Sequence, residues 1–169
     1  MRMKFTLALV LIALGVSGQE QPAADRFYQA IRNDNLAELR VLVSEFGADA
    51  KDSQGHTPLM LAGGFGSFEA MQLLIASGAD AKGVNNSGVT ALHWSTGEPR
   101  KARLLLDRGA DVHARSQLGI TPLLVAASTN GTAETVGLLL ERGADVNLPV
   151  EGDGSPLIMA AREGHLRIV

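Results

Sequence analysis

The four histidines are the side chains in this sequence best suited to metal binding or proton transfer, and their spacing decides between those roles. They stand at positions 56, 93, 113 and 165. No two of them are three or four residues apart, as a metal site on one helix face requires. The sequence contains neither H-E-x-x-H nor any cysteine for a zinc site. The pattern therefore predicts no resident metal.

Two glycine-containing segments resemble ligand loops without the residues that complete such loops. Residues 63–66, Gly-Gly-Phe-Gly, are not followed by the Gly-Lys-Ser/Thr of a phosphate loop, so we interpret them as a turn between helices. Residues 151–154, Glu-Gly-Asp-Gly, lack the further oxygen ligands of a calcium loop and also indicate a turn. The nucleophile motif G-x-S-x-G is absent. We therefore expect no catalytic site and no cofactor.

The recurring aspartates mark a repeat rather than an acidic site. Each closes a Gly-Ala-Asp string, at Asp49, Asp80, Asp111 and Asp145. The glycines of these strings are 31, 31 and 34 residues apart. A second string, Thr-Pro-Leu or a close variant, begins at positions 57, 90, 121 and 155, at intervals of 33, 31 and 34. The shared period predicts repeated units, in which we expect each aspartate to bond loop amides.

The residues of one unit predict two helices and a loop. The Thr or Ser that begins the second string can cap a helix N-terminus, and the proline after it suits the first helical position. Small alanines follow, and then a leucine-rich second helix that ends at Gly78, Gly109 or Gly143. A polar stretch with another glycine returns the chain to the next cap. Neither helix can bury its apolar face alone, so stacking of units must form the core.

These units resemble ankyrin repeats. The closest matches are Gly-Ala-Asp-Val-His at 109–113, Gly-Ala-Asp-Val-Asn at 143–147 and Gly-His at 164–165. The resemblance covers about residues 25–169 and implies an all-α solenoid of stacked antiparallel helix pairs with projecting hairpin loops. The units it implies are 25–51, 52–84, 85–115, 116–149 and a truncated 150–169.

Several units depart from the ankyrin pattern. The first has no Thr-Pro cap and has the mixed apolar and charged pattern of a terminal repeat. In the second, Gly63 and Gly64 replace an alanine pair, which should weaken that helix. In the third, Pro99 should stop the first helix. The fifth ends at Val169 without a leucine triplet, and we expect a fragment of a longer chain, the alternative being a naturally short last repeat.

The N-terminus has the three parts of a secretory signal. Arg2 and Lys4 precede an uncharged apolar run at 5–16, and small residues at 16–18 precede a polar stretch. We expect residues 1–18 to be a signal peptide and the protein to be periplasmic or secreted, with no membrane attachment after cleavage. An uncleaved anchor or a buried first helix is the alternative.

Composition and charge narrow the class of partner. The formal charge is -3, and no basic run is longer than the pair at 100–101, so we expect no nucleic acid. Apolar residues make up 46% of the chain but aromatic residues only 4%, which favours packed helices over a β-sandwich.

The resemblance implies that a protein partner binds the loop tips and the outward side of each first helix. The residues that map there include Gln54, His56, Phe65, Asn86, Val89, Gln117, Leu118 and Ile120. Apolar side chains on projecting loops are costly unless covered, although Val89 and Ile120 could instead fold back onto the repeats. We expect Trp94 to be in the core, and His93 to hydrogen-bond within or between repeats.

We therefore expect a non-enzymatic scaffold or adaptor that binds another protein outside the cytoplasm. One alternative is the N-terminal recognition arm of a longer extracytoplasmic enzyme, such as a redox protein. Another is a signal-anchored protein with its repeats outside the membrane. The sequence leaves the identity of the partner and the oligomeric state open.

Overall fold

The computed structural model describes residues 22–129 and 132–147, which form eight helices. In chain order they are α1 (Ala23–Arg32), α2 (Leu36–Phe46), α3 (Pro58–Phe65), α4 (Phe68–Ala76), α5 (Ala91–Trp94), α6 (Pro99–Asp107), α7 (Pro122–Ala127) and α8 (Ala133–Glu141). The predicted signal segment and the predicted fifth unit lie outside the described residues.

The helices form two layers. The odd-numbered helices pack against one another in chain order as an inner layer, and the even-numbered helices do the same as an outer layer. Each inner helix also packs on the outer helix that follows it. Within the described ranges, β-structure is limited to an isolated bridge between Val84 and Thr90. The predicted all-α fold of stacked helix pairs is confirmed.

The helix ends form as the repeat strings predict. The hydroxyls of Thr57 and Thr121 accept the amide of the third residue after each, at 3.3 and 3.2 Å. Pro58 and Pro122 occupy the first turn of α3 and α7. Gly78, like its equivalents at 109 and 143, has a positive φ, between 83° and 92°, which an L side chain rarely adopts.

Pro99 does not stop the first helix of the third unit, so that prediction was wrong. It opens the second helix, α6, where its missing N–H costs no hydrogen bond. The first helix, α5, has already ended at Trp94 after four residues. The Ser95 hydroxyl closes this short helix by donating to the Ala91 carbonyl at 2.8 Å.

Gly63 and Gly64 lie inside α3, so their interpretation as an inter-helix turn was also wrong. The helix continues to Phe65, and Gly66 is its C-cap. A Cβ atom on Gly63 would stand 2.6 Å from the Ser95 hydroxyl, and one on Gly64 would stand 2.9 Å from the Trp94 ring. The two glycines are therefore required by the close approach of α5.

The aspartates of the Gly-Ala-Asp strings bond loop amides, as predicted. Three of them accept the amide two residues further on, at 2.8 to 2.9 Å: Asp80, Asp111 and Asp145. Asp49 accepts the amide of Asp80 in the next unit, at 3.0 Å. These bonds fix each loop and connect the first loop to the second.

The core runs through both layers without a break in the described ranges. In the first unit Phe27, Ile31, Leu39 and Leu42 are buried, as expected for a terminal repeat. Among the described residues one charged side chain is also buried: the Lys101 ammonium donates to the carbonyl of Gly66 at 2.6 Å and so connects α6 to the end of α3. None of the described helices is both long and apolar enough to span a membrane.

Candidate partner-binding surface

Three aromatic side chains from successive inner helices stand in a row, which we call the aromatic row: Tyr28 on α1, Phe65 on α3 and Trp94 on α5. The ring centres of Tyr28 and Phe65 are 5.8 Å apart with an interplanar angle of 77°. Those of Phe65 and Trp94 are 5.6 Å apart at 86°. Both pairs have the edge-to-face geometry that aromatic rings prefer.

The aromatic row is accessible from solvent. Phe65 is 53% exposed, and Tyr28 and Trp94 are partly buried side chains packed against the core. We expected Trp94 to be a core residue; it packs against the core but stays partly exposed, and its ring lies across Gly64. Exposed aromatic rings in a group are typical of interaction sites.

His56 extends the row beyond Trp94. Its ring centre is 5.1 Å from that of Trp94, and its Nδ1 lies 2.8 Å from the Asp52 carboxylate. Asp52 also accepts the amides of Gln54 and His56, each at 2.8 Å. Burial by itself raises the pKa of Asp52, but these hydrogen bonds outweigh it and hold the pKa below its usual value. The ionised carboxylate fixes the His56 ring with Nδ1–H as donor, and Nε2 has no hydrogen-bond partner among the described residues.

Arg32 lies at the other end of the row. Its guanidinium donates to the Tyr28 hydroxyl at 2.8 Å, and its central carbon is 5.9 Å from the centre of the Tyr28 ring. Within the described ranges no carboxylate forms an ion pair with Arg32. The guanidinium is therefore positioned by an aromatic residue and keeps its charge for another partner.

The described inner helices after α1 carry no formally charged residue. Helices α3, α5 and α7 contain no Asp, Glu, Lys or Arg. The candidate surface thus combines uncharged aromatic rings with one cation beside Tyr28 and one hydrogen-bonded imidazole beside Trp94. It can bind an apolar segment, and it can discriminate by charge at the Arg32 end.

The polar residues predicted to contact a partner also hold neighbouring loops together. Asn86 donates its backbone amide to Gln54 at 3.0 Å and its side-chain amide to Ser53 at 3.2 Å. One unit later, Gln117 donates its side-chain amide to the carbonyl of Asn86 at 2.8 Å. Gln54, Asn86 and Gln117 remain exposed, and their contact with a partner stays a prediction.

The apolar loop residues divide into two groups. Leu118 is 66% exposed at the tip of the loop between α6 and α7. Val89 and Ile120 are only partly exposed. The carbonyl of Ile120 accepts a hydrogen bond from Nε2 of the buried His93, at 3.0 Å. This bond between repeats confirms the role predicted for His93.

The structure therefore brings together Phe65 and His56 from the sequence-predicted set and adds Tyr28, Trp94 and Arg32. One signal for these additions was present in the sequence. The chain has a single Trp and a single Tyr, and both lie in the predicted first helices of units. Whether Tyr28 and Trp94 contact Phe65 depends on which turn of each helix faces the next repeat. The repeat period of the sequence does not specify this orientation.

The described residues contain no group of three or more His, Cys, Asp or Glu side chains placed to hold a metal ion. The fold is that of a helix-pair repeat protein. A family model of ankyrin repeats in three copies matches residues 27–116 and 97–169. These matches cover well over half of the sequence, and the chain belongs to the ankyrin repeat family. No curated protein matches the sequence at a significant level.

Proposed function

We propose that this chain is a non-enzymatic adaptor that binds a protein partner outside the cytoplasm, through the inner-helix face and the loop tips. Ankyrin repeats generally mediate protein binding and are typically non-catalytic. The observation that carries the proposal is the aromatic row, because stacking of the repeats does not require Phe65 to be exposed to solvent.

Residue types support the row as the centre of the interface. Trp, Tyr and Arg are enriched among the residues that contribute most to protein–protein binding, and the site contains one of each in Trp94, Tyr28 and Arg32. The rings are held by edge-to-face contacts and by Gly64, so little side-chain freedom remains to be lost on binding. The exposed Leu118 offers a second apolar contact on the loop side.

The extracytoplasmic location rests on residues 1–18, which have the basic, apolar and small-residue regions of a secretory signal peptide. Mass spectrometry of the protein purified from the extracytoplasmic fraction tests it. Signal cleavage predicts a chain that begins near Gln19. A protein that retains Met1 and stays in the membrane fraction would support a signal anchor, and one found in the cytoplasm would refute the proposed location.

Site-specific photo-cross-linking in the native cell tests the binding surface. The full chain would carry benzoylphenylalanine at Phe65, at Leu118 or, as a control, at Gln72, which is exposed on the outer helix α4. We expect a discrete protein adduct from position 65 or 118 and none from 72. The proposal also requires that the adduct at 118 be lost when Tyr28→Ala and Trp94→Ala are introduced together.

Adducts from Gln72 alone would place the interface on the outer layer and overturn the proposed surface. Circular dichroism of each variant shows whether the repeats still fold, because the eight described helices dominate the far-ultraviolet signal. A variant that keeps its helical spectrum and loses the adduct has lost the contact rather than the fold.

A further inference from the structure

The aromatic row has features that select among kinds of protein segment. Its three rings lie edge to face in one row, and the helices that carry Phe65 and Trp94, α3 and α5, contain no formally charged residue. Aromatic-lined surfaces of this kind bind segments in the polyproline II conformation, which is ordered before binding and therefore loses little entropy. An amphipathic helix and an extended β-strand are the other candidates for an apolar surface.

An unpaired hydrogen-bond donor argues against a helix. The Trp94 indole N–H has no hydrogen-bond acceptor among the described residues, and it is not one of their fully buried unpaired atoms. A helix uses its backbone carbonyls internally and would cover this donor with apolar side chains. A polyproline II segment has no internal hydrogen bonds, so its carbonyls are free to accept the indole N–H.

Missing strand edges argue against a β-strand. A bound strand takes its affinity from main-chain hydrogen bonds to a sheet edge. The aromatic row stands on helices α1, α3 and α5, which offer no sheet edge to a bound strand. A proline-rich segment also has fewer N–H groups to leave unpaired over aromatic rings, because proline has none.

The positive charge of Arg32, at the Tyr28 end of the row, determines which kind of residue should flank the bound segment of the partner. Arg32 is held over Tyr28 and forms no ion pair with a carboxylate in the described ranges. A carboxylate on the bound segment would complete this pair. At the other end of the row, His56 is already paired with Asp52.

We infer that the aromatic row binds a proline-rich segment of the partner protein in the polyproline II conformation, with an acidic residue placed over Arg32. This inference rests on the proposed adaptor function and names the partner's chemistry at the same surface. Apolar and proline side chains of the segment would pack on the accessible faces of Tyr28, Phe65 and Trp94, whose rings touch one another edge to face. The Trp94 indole N–H donates to a backbone carbonyl of the segment.

The chain contains its own reporter for a test. Trp94 is the only tryptophan, so its emission spectrum reports on the row alone. The full chain would be titrated with acetylated and amidated peptides of repeated Pro-Leu-Pro, with two glutamates at one end or at the other. Matched peptides would carry lysine for glutamate, or glycine and serine for every proline. A fourth peptide would be an alanine- and leucine-rich amphipathic helix.

We expect saturable changes in Trp94 emission with a glutamate-flanked proline-rich peptide and none with the glycine–serine peptide. Phe65→Ala should weaken binding at least about tenfold, as removal of a central aromatic anchor does. Arg32→Gln should weaken it by up to about fivefold and abolish the preference for glutamate over lysine. Gln72→Ala, on the outer helix α4 away from the row, is the control and should leave the affinity unchanged.

The inference is overturned if no proline-rich peptide changes the emission, if the helical peptide binds more tightly, or if Phe65→Ala binds as well as the wild type while retaining its helical spectrum. The adaptor proposal has a separate outcome. If the cross-linker at Phe65 captures a protein but no proline-rich peptide binds, the inference fails and the adaptor function stands. If neither result is obtained, both fail.

Discussion

Replacing Gly63 by alanine should destabilise the protein, although alanine is the better helix former. In the interior of a helix the change gains about 1 kcal/mol from propensity alone. Here the new Cβ would stand 2.6 Å from the Ser95 hydroxyl and 3.1 Å from the Ala91 carbonyl, both on the neighbouring repeat. These two groups are hydrogen-bonded to each other at 2.8 Å and are buried, so neither can move cheaply.

The magnitude follows from these opposing terms. Overpacking of a well-packed interior costs about 1–3 kcal/mol, and two blocked contacts beside a buried hydrogen bond place Gly63→Ala in the upper part of that range. After the propensity gain, we expect a net loss of about 1–2 kcal/mol in the free energy of unfolding. For a chain of this size that lowers Tm by about 2–8 °C.

Gly137 provides the matched control. It also lies inside a helix, α8, but no described heavy atom comes within 4 Å of the place that a Cβ on it would take. Gly137→Ala should therefore raise the stability by about 1 kcal/mol. Urea unfolding followed by circular dichroism measures both variants. If Gly63→Ala stabilises the protein as much as Gly137→Ala does, the close approach of α3 and α5 does not require glycine and the reasoning is refuted.

Three further changes test other parts of the structure. Burial lowers the pKa of His93, so on acidification the unfolded chain takes up a proton before the folded chain does. The stability that neutral His93 contributes is present above the unfolded pKa of about 6.5 and is lost at lower pH. The urea midpoints of the wild type and of His93→Gln should therefore converge as the pH falls from about 7.5 to about 5. Lys101→Met leaves the Gly66 carbonyl unpaired and should cost about 1–3 kcal/mol, measured by urea unfolding. Asn86→Ala removes a bond between loops and should cost about 1 kcal/mol, which lowers Tm in a thermal melt.

The sequence specified most of the helix boundaries, because those depend on local chemistry. A Thr hydroxyl such as that of Thr57 caps the helix that follows it, wherever the unit lies in the stack. Gly78 adopts its positive φ because the chain must leave the helix there. Asp80, Asp111 and Asp145 likewise bond amides two residues away. Each of these features is fixed by a few neighbouring residues and recurs with the period.

The errors came from interactions between units. Gly63 and Gly64 look like helix breakers in isolation, yet α3 continues through them. They are glycines because Ser95 and Trp94 of the next unit occupy the space that their side chains would need. Pro99 begins α6 because α5 is only four residues long. Neither fact follows from the residues of one unit read alone.

The aromatic row was missed for the same reason. Tyr28, Phe65 and Trp94 occupy different positions within their units, so no repeat pattern aligns them. They meet because α5 is short and lies against the glycines of α3, which brings Trp94 next to the last residue of that helix. The loop-tip residues, in contrast, could be mapped by the resemblance, and their role in binding stays a prediction.

Fluorine NMR of Trp94 tests the central claim most directly. The full chain labelled with 5-fluorotryptophan has one fluorine site, because Trp94 is its only tryptophan. We expect the resonance to shift or broaden when the cross-linked partner protein, purified, is added, and we expect Phe65→Ala to prevent the change. A resonance that stays unchanged at a partner concentration that saturates binding would contradict the assignment of the aromatic row as the binding surface.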